Sequence, residues 1–415
     1  MKVKIKTIDI WPILLCIGII GNLVLNAIYN MGQGDIVTYN VLLWTFLMWG
    51  SLITNHRSIS GKLFKLIFIV MLCGIIGNIH GALLVTDGMS SLDNMVINFA
   101  TIIIFVAMKG EKISRDSLNA IMKTLVICGI AASLYAMIMQ SMYLVYVLKR
   151  LDVAYNSWFY TSFLGQRNIF AGYCFLSSIA ALYLFSNKSM AKNKIYLAAV
   201  ILFGIQIFIT NSRTAFISYL ALILLYIYLT AGKKTKFLLI TISIIGAVIL
   251  LQNEIFNSVL NTFFIHTTSS GTDSGSIRLN MWREAIGYSF EKIGFIFGFG
   301  IYPMSVILLD NFGYASTHNA YLDTFMTGGM VYVFIIIYIY YRSFKRIKKC
   351  TDKHYSMFMI SALIAFLLYN TTEAGMALFT QNYFSITATI LFVIIPMGYN
   401  GDNIEENKKR IKVKG

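Results

Sequence analysis

The residues best suited to chemistry are polar side chains that interrupt long apolar tracts. The segment Asn211-Ser212-Arg213-Thr214 separates two such tracts, and Thr317-His318-Asn319 comes directly before another. If these tracts cross a membrane, Arg213 lies at its edge, where a charge is energetically expensive and is therefore a functional candidate. His318 has an ordinary pKa of about 6.5 and can exchange a proton near neutral pH.

Each of these candidates also has a purely structural interpretation. Arg213 could extend its charge to the phosphates of lipid headgroups, and Asn319 could cap the helix that begins at Ala320. Glu373 lies near the end of a later apolar tract and could serve only to pair with an arginine. The residues taken one by one leave both interpretations open.

The composition is that of a membrane protein with many spans. The chain has 415 residues, of which 57% are hydrophobic and only 13% are charged, whereas soluble domains carry about 25% charged residues. Its mean hydropathy is +0.70. The net charge of +16 lies in short basic clusters between apolar runs, which is a membrane-topology pattern rather than a phosphate-binding stripe. We therefore predict an all-α polytopic fold and no nucleic-acid partner.

About twelve apolar runs are long enough to cross a bilayer, and we expect them to form one transmembrane domain over residues 1–415. Only three prolines occur, so the helices are predicted to be largely unbroken. The run Leu118–Leu148 is too long for a straight crossing and is predicted to tilt or project. The predicted spans are Ile8–Asn30, Ile36–Thr54, Leu63–Val85, Leu92–Met108, Leu118–Leu148, Ile169–Phe185, Ile195–Thr210, Thr214–Ala231, Phe237–Leu251, Ala320–Tyr341, Met357–Thr371 and Phe379–Met397.

The distribution of basic residues predicts the side on which each loop lies. If the N-terminus is cytoplasmic, most of the 34 lysines and arginines fall on the cytoplasmic side, as the positive-inside rule requires. This topology places both termini inside and residues 252–319 outside. The basic residues that remain outside against this bias are the more informative ones, and they are Lys149, Arg150, Arg167, Arg213, Arg278, Arg283 and Lys292.

Residues 252–319 are the one long polar insert, predicted as a loop outside the membrane. Apolar residues recur at helical spacing over Ile277–Phe290, which predicts an amphipathic helix lying on the membrane surface. On such a helix Arg278 and Trp282 share a face, because they are four residues apart. Gly298-Phe299-Gly300 is not a nucleotide-binding fingerprint, since no strand precedes it.

Five polar motifs follow one another along the chain: Gly165-Gln166-Arg167-Asn168-x-Phe170-Ala171, Ser212-Arg213, Arg278-x-x-x-Trp282, Gly298-x-Gly300 and His318-Asn319-x-Tyr321-Leu322 with Gly329 following. Taken in this order, they resemble the motifs of the O-antigen ligase and polymerase family, and the likeness runs from about Gly165 to Gly329. One departure is Thr327, because many ligase-like members carry an acidic residue there. The choice between ligase and polymerase therefore stays open.

The resemblance implies a GT-C-type membrane fold and a glycosyltransferase that uses a polyprenyl-diphosphate-linked glycan outside the cytoplasmic membrane of a bacterium. It implies that Arg213 and Arg278 bind the donor diphosphate and that His318 is the catalytic base. Arginines can neutralise a diphosphate leaving group and no Asp-x-Asp motif occurs, so neither a metal nor another cofactor is expected. Further candidates for substrate binding are Arg167, Asn168, Asn319, Trp282 and Glu373.

The leading hypothesis is a polymerase that joins lipid-linked repeat units into a capsule, exopolysaccharide, O-antigen or wall polymer. Its expected partners are the lipid-linked oligosaccharide, the growing glycan acceptor and the bilayer, with a flippase and a chain-length regulator as protein partners. A ligase that attaches finished glycan to a lipid, wall or protein acceptor is the alternative within the same chemistry. A transporter or flippase of lipid-linked glycan is the alternative from another class, and it predicts charged residues deep within the spans.

Overall fold

The part of the chain described by the computed structural model is helical. It comprises residues 10–29, 42–47, 61–85, 113–148, 159–187, 194–234, 236, 274–378 and 384–399. Helices account for 84% of the described structure, and no strand occurs within these ranges. The prediction of an all-α fold is confirmed for this part of the chain.

Most helices begin and end close to the predicted spans, whereas three others lie in the segment that was expected to be a loop. In chain order they are α1 (Ile10–Tyr29), α2 (Gly61–Ala82), α3 (Arg115–Met139), α4 (Ser141–Leu148), α5 (Arg167–Ser186), α6 (Lys194–Ile209), α7 (Arg213–Thr230), α8 (Ser274–Glu291), α9 (Gly294–Phe297), α10 (Ile301–Phe312), α11 (Ala320–Lys348), α12 (Lys353–Tyr369) and α13 (Ser385–Gly398).

Four of these helices, α3, α5, α7 and α11, are long and apolar enough to cross a membrane, judged by length and composition. Shorter apolar helices include α6, α12 and α13. The predicted spans Leu92–Met108 and Phe237–Leu251 lie outside the described residues, as do both chain termini and the Lys149-Arg150 pair. The number of spans therefore stays a prediction.

Helix α8 covers the predicted helix Ile277–Phe290, and its position on a membrane surface stays a prediction. The described part of the polar insert is mostly helical rather than a loop. This part, from Ser274 onward, continues through α9 and α10 before α11 begins. The apolar helix α10 was not predicted. Along α8, Met281, Ala285 and Ser289 are buried while Ile286 and Phe290 are exposed, so one face packs on the protein and another is largely exposed.

The long run Leu118–Leu148 does not form one tilted helix, because it breaks at Gln140. The Gln140 Oε1 atom accepts hydrogen bonds from the backbone N–H groups of Thr161 and Ser162, at 3.0 Å and 2.8 Å. The Gln140 side chain thus provides an acceptor for two backbone N–H groups that would otherwise lack a partner. The turn held in this way, Ser162–Leu164, leads directly into α5 and positions its first residue, Arg167.

Helix α5 is the centre of the bundle. Its most apolar window is 89% buried within the protein, against 17% for α7, so α5 is enclosed by protein while α7 faces outward. It packs against α3 and α6, and α7 packs against α12. Large side chains from these helices fill the core, among them Phe170, Phe175, Phe203, Phe358 and Phe366.

The bundle has two polar ends. At one end the Arg115 guanidinium donates to Asn187 Oδ1 at 2.5 Å and joins the start of α3 to the end of α5. At the other end the backbone N–H of Ala320 donates to the carbonyl of Asn370 at 3.0 Å and joins α11 to the residues after α12. Helix α5 ends beside Asn187 at the first end. Its first residue, Arg167, therefore lies at the second end.

The prediction of unbroken helices is wrong for α11, which is interrupted at Gly329. This glycine has φ 70° and ψ −171°, far from helical values. A Cβ here would clash with the Ile296 carbonyl, and a Cβ at Gly298, which has φ 71°, would clash with the Thr327 carbonyl. Only glycine combines these backbone angles with so close an approach. The break therefore results from two glycines rather than from proline.

The Gly298-Phe299-Gly300 segment packs directly onto the interrupted helix. The backbone N–H of Phe299 donates to the Met326 carbonyl at 2.6 Å, and that of Gly300 donates to the Thr327 carbonyl at 2.9 Å. These carbonyls belong to the turn that the break leaves without normal helical partners. His80 of α2 completes the contact, since its Nδ1 lies 2.7 Å from the Gly298 carbonyl. The Gly298-Phe299-Gly300 segment thus holds the part of α11 that precedes Gly329 in place.

Candidate active site

A buried carboxylate, Glu373, brings together side chains that are distant in the sequence. Arg278 of α8 places its Nη2 atom 3.5 Å from Glu373 Oε1, and its Nη1 donates to the Thr372 carbonyl at 3.0 Å. Asn168 of α5 donates from Nδ2 to the same Oε1 atom at 3.2 Å. Glu373 is only 7% exposed. The expected pairing of Glu373 with an arginine is therefore present.

Two further arginines belong to this site. The charge of Arg167 interacts with the charges of Arg213, Arg278 and Glu373, so Arg213 and Arg278 both lie near Arg167. A hydrogen bond of 2.5 Å between Thr214 and Thr372 side chains fastens the start of α7 to the same loop. We call Arg167, Arg213 and Arg278 the arginine cluster. With Glu373 as the compensating charge, the group keeps a surplus of positive charge and suits an anionic ligand.

His318 stands beside the cluster in a form that can accept a proton. Burial, and to a lesser degree the charge of Arg278, lower the pKa of His318 below its ordinary value. The imidazole is therefore neutral at pH 7, which is the form that a general base requires. Its backbone has φ 54°, an uncommon conformation for a residue other than glycine, and one that tends to occur at functional sites.

The turn that carries His318 is held by Asp323, a residue that the sequence analysis missed. Asp323 Oδ1 accepts from the Thr317 backbone N–H at 3.0 Å and from the Thr317 hydroxyl at 2.6 Å, and its Oδ2 accepts from the Ser316 hydroxyl at 2.9 Å. The Ser316 hydroxyl oxygen in turn accepts from the His318 backbone N–H at 3.1 Å. A signal was available, since a lone acidic residue within an apolar span is a functional candidate.

Trp282 and Asn319 support the same turn. The indole Nε1 of Trp282 donates to the Thr317 carbonyl at 2.8 Å. Asn319 Oδ1 accepts from the backbone N–H groups of Tyr321 and Leu322, at 2.9 Å and 3.0 Å, so the capping interpretation of Asn319 is confirmed. Substrate binding by either residue stays a prediction.

Two buried polar atoms next to Arg213 lack hydrogen-bond partners among the described residues. They are Asn211 Oδ1 and Ser212 Oγ, and both residues are less than a tenth exposed. Asn211 also has a positive φ of 53°. Buried polar groups without partners are rare and unfavourable, so this turn is suited to a bound polar group. Within the described ranges, no three His, Cys, Asp or Glu residues are grouped to hold a metal ion.

The dependence of the His318 turn on Asp323 leads to a first prediction. Replacing Asp323 with asparagine preserves the acceptor for Thr317 but removes the one for Ser316. We expect kcat to fall about 10-fold to 100-fold, because small misplacements of a catalytic group have effects of this size, while the KM for the donor stays within about twofold. Steady-state kinetics on purified, folded protein measures both constants.

Asp310→Asn is the matched control for this variant, because Asp310 is an exposed carboxylate on α10. It should leave both constants unchanged. If Asp323→Asn lowered the yield of folded protein but not kcat per folded molecule, Asp323 would have only a structural role.

Residues 198–337 match the family model described as O-antigen ligase, which confirms the resemblance predicted from the sequence. The match runs from within α6 to within α11, so it includes Arg213, Arg278 and His318, whereas Arg167 and Glu373 lie outside it. A search of curated proteins found no match, and a search of solved structures found none either. Members of the matched family are glycosyltransferase-like membrane enzymes.

Proposed function

We propose, because residues 198–337 carry a domain of the O-antigen ligase family, that this chain is a glycan polymerase. It transfers a glycan from a polyprenyl-diphosphate carrier to a hydroxyl of another lipid-linked repeat unit on the outer face of a bacterial cytoplasmic membrane. The product is a polysaccharide of the capsule, exopolysaccharide or O-antigen type. The observation that carries this proposal is the arginine cluster beside a neutral His318.

The arginine cluster takes the role of binding and stabilising the leaving group. When the bond between the sugar and the diphosphate breaks, negative charge develops on the departing diphosphate. Arg213 and Arg278 bind its oxygens through paired N–H groups, and Arg167 adds a third positive charge. Fixed charge aimed at a developing charge is often the largest single contribution to catalysis. The arginines supply the charge that a metal supplies in many nucleotide-sugar enzymes.

His318 takes the role of general base. Its neutral imidazole accepts the proton of the acceptor hydroxyl while the hydroxyl oxygen attacks the sugar carbon attached to the diphosphate. The sugar–diphosphate bond breaks, and the diphosphate departs on its lipid carrier. The influence of the Arg278 charge on His318 supports this arrangement, since base and leaving group must lie on either side of one sugar.

The direction of α11 supports an extracytoplasmic site. Its last turn contains Lys345, Arg346 and Lys348, and the positive-inside rule assigns that end to the cytoplasm. Its first residue, Ala320, directly follows His318 and Asn319, so the candidate site belongs to the opposite side. The proposal also includes three features predicted from the sequence. They are about twelve membrane spans, a GT-C-type fold over residues 1–415 and an extracytoplasmic insert at residues 252–319.

Two alternatives use the same observations less fully. A ligase would employ the same donor chemistry and differ only in its acceptor, and Thr327 leaves that choice open. A transporter or flippase would need charged residues along a path through the membrane, whereas Arg167 and Arg213 are the first residues of α5 and α7. Charges gathered at helix starts beside a base favour an enzyme.

The length distribution of cellular glycan tests the proposal. Deletion of the gene should leave single repeat units on the lipid carrier, and the full-length chain should restore long polymers. A ligase would instead leave long chains on the carrier after deletion, and a flippase would leave single units on the cytoplasmic face. The flippase and the chain-length regulator expected as partners should remain functional in the deletion strain.

A further inference from the structure

Glu373 occupies the position in the arginine cluster where an anionic ligand would be expected. It receives Arg278 from α8 and Asn168 from α5 on the same oxygen, and Arg167 acts on it through its charge. Arg213 of α7 interacts with Arg167, and His318, before α11, interacts with Arg278. Within the described part of the chain, Tyr369 at the end of α12 is a further titratable neighbour of Glu373.

The contact between Glu373 and Arg278 is close enough to order the two side chains. It is also long enough for an incoming anion to replace the carboxylate as the partner of Arg278. The distance from Nη2 to Oε1 is 3.5 Å, whereas strong charge-assisted hydrogen bonds measure about 2.7–2.9 Å. The Arg278 side chain is 29% exposed and the Glu373 side chain only 9%. An anion that arrives from solvent therefore reaches the guanidinium without first passing the carboxylate.

We propose that Glu373 is an internal counter-ion that holds the arginine cluster in place until the donor diphosphate displaces it. This inference rests on the proposed function, since it takes the diphosphate as the ligand. Before the donor binds, the carboxylate compensates part of the repulsion among the three guanidinium groups. After binding, the diphosphate oxygens take over Arg278, and Glu373 keeps its hydrogen bond from Asn168. The arginines are thus ordered in both states, which preorganises the site for charge development.

Displacement has a consequence for protons. Burial raises the pKa of Glu373 to about 7, and the charges of Arg278 and Arg167 keep it from rising further. When a diphosphate neutralises these arginines, the pKa of Glu373 increases again and the carboxyl takes up a proton. The donor-bound state then binds more protons than the free state, so donor affinity should increase as the pH falls through about 7.

The test measures binding rather than turnover. The full-length protein, in nanodiscs, is titrated with polyprenyl diphosphate that carries no glycan, at about pH 6 and about pH 8. Glu373→Gln keeps an oxygen that accepts from Asn168 but carries no charge to compete for Arg278. At the higher pH we expect it to bind the probe about tenfold more tightly than the wild type. At the lower pH the difference should nearly vanish.

Glu291→Gln is the matched control, since Glu291 lies on α8 and pairs with Lys292 at the surface. It makes the same change in net charge and should leave affinity unchanged. If Glu373→Gln does not fold, the wild-type pH dependence can be measured in a His318→Gln background, which removes the titration of the imidazole. Protonation of the diphosphate itself would weaken binding at low pH. An increase in affinity at low pH therefore cannot come from the diphosphate.

Two results separate failure of this inference from failure of the proposed function. If wild type binds the probe, Arg278→Ala weakens binding and Glu373→Gln binds no more tightly than wild type, the counter-ion role is wrong and the function stands. If wild type and Arg278→Ala bind alike or not at all, the donor assignment itself is wrong.

Discussion

Replacing His318 with alanine should reduce polymerisation about 10²-fold to 10⁴-fold, which is the usual contribution of a general base. Donor binding should remain within about twofold of the wild type, because the diphosphate contacts belong to the arginine cluster. The measurement is the rate of chain extension by purified protein on lipid-linked repeat units. His354→Ala is the matched control, since His354 is an exposed histidine near the start of α12, at the opposite end of the bundle.

The pH profile gives an independent check on His318. The rate is measured at saturating donor, where changes in donor affinity have no effect. A base must be neutral, so this rate should fall as the pH drops through the lowered pKa of His318 and stay constant around pH 7. This acidic limb should disappear in His318→Gln, together with most of the rate. Normal rates of chain extension in either His318 variant would remove it from the mechanism.

Exchanging Arg278 for lysine should lower kcat/KM about 10²-fold, although the charge is kept. A lysine ammonium cannot reproduce the two parallel N–H groups that a guanidinium presents to a diphosphate, and the loss of one such donor typically has this effect. Arg283→Lys on the same helix is the control, because Arg283 is exposed. Equal activity of the two lysine variants would contradict the donor-binding role of Arg278.

The Arg278→Ala variant, which removes the charge altogether, should remain folded near neutral pH. Removing one partner of a buried ion pair is strongly destabilising when the other charge persists. Glu373, however, has a pKa of about 7 even with its arginines present, so it becomes neutral once Arg278 is lost. A thermal unfolding curve that matches the wild type at about pH 6 therefore separates a catalytic defect from a folding defect.

Much of this architecture follows from local sequence. The apolar runs predicted most helix positions, because a membrane span must satisfy its backbone within one helix. Arg213 and His318 were identified because polar residues at the ends of apolar runs are conspicuous. Arg278 was identified because it is a basic residue on the predicted outer side and belongs to the Arg278-x-x-x-Trp282 motif. An ion pair between Glu373 and an arginine was also predicted, since a buried carboxylate needs a partner. Which arginine would form it was not predicted.

The unpredicted features depend on contacts between segments that are distant in the chain. At the end of α3, the Gln140 side chain accepts hydrogen bonds from the backbone N–H groups of Thr161 and Ser162, which belong to a later segment. Gly329 breaks α11 because the Gly298 segment approaches its backbone, and nothing in the local sequence indicates that neighbour. Asp323 accepts hydrogen bonds from Ser316 and Thr317, in the turn that carries His318. In each case the partner is set by tertiary packing rather than by periodicity.

The interruption of α11 also bears on how the site responds to the thickness of the membrane. A continuous helix of its 29 residues would measure about 44 Å, against a hydrocarbon core of about 30 Å. Long membrane helices adapt to a thinner or thicker bilayer by changing their tilt. Because the backbone leaves the helical region at Gly329, we expect residues 330–348 to change their tilt with less effect on the segment that follows His318. We therefore expect the geometry of the candidate site to depend less on lipid composition than it would with an uninterrupted helix.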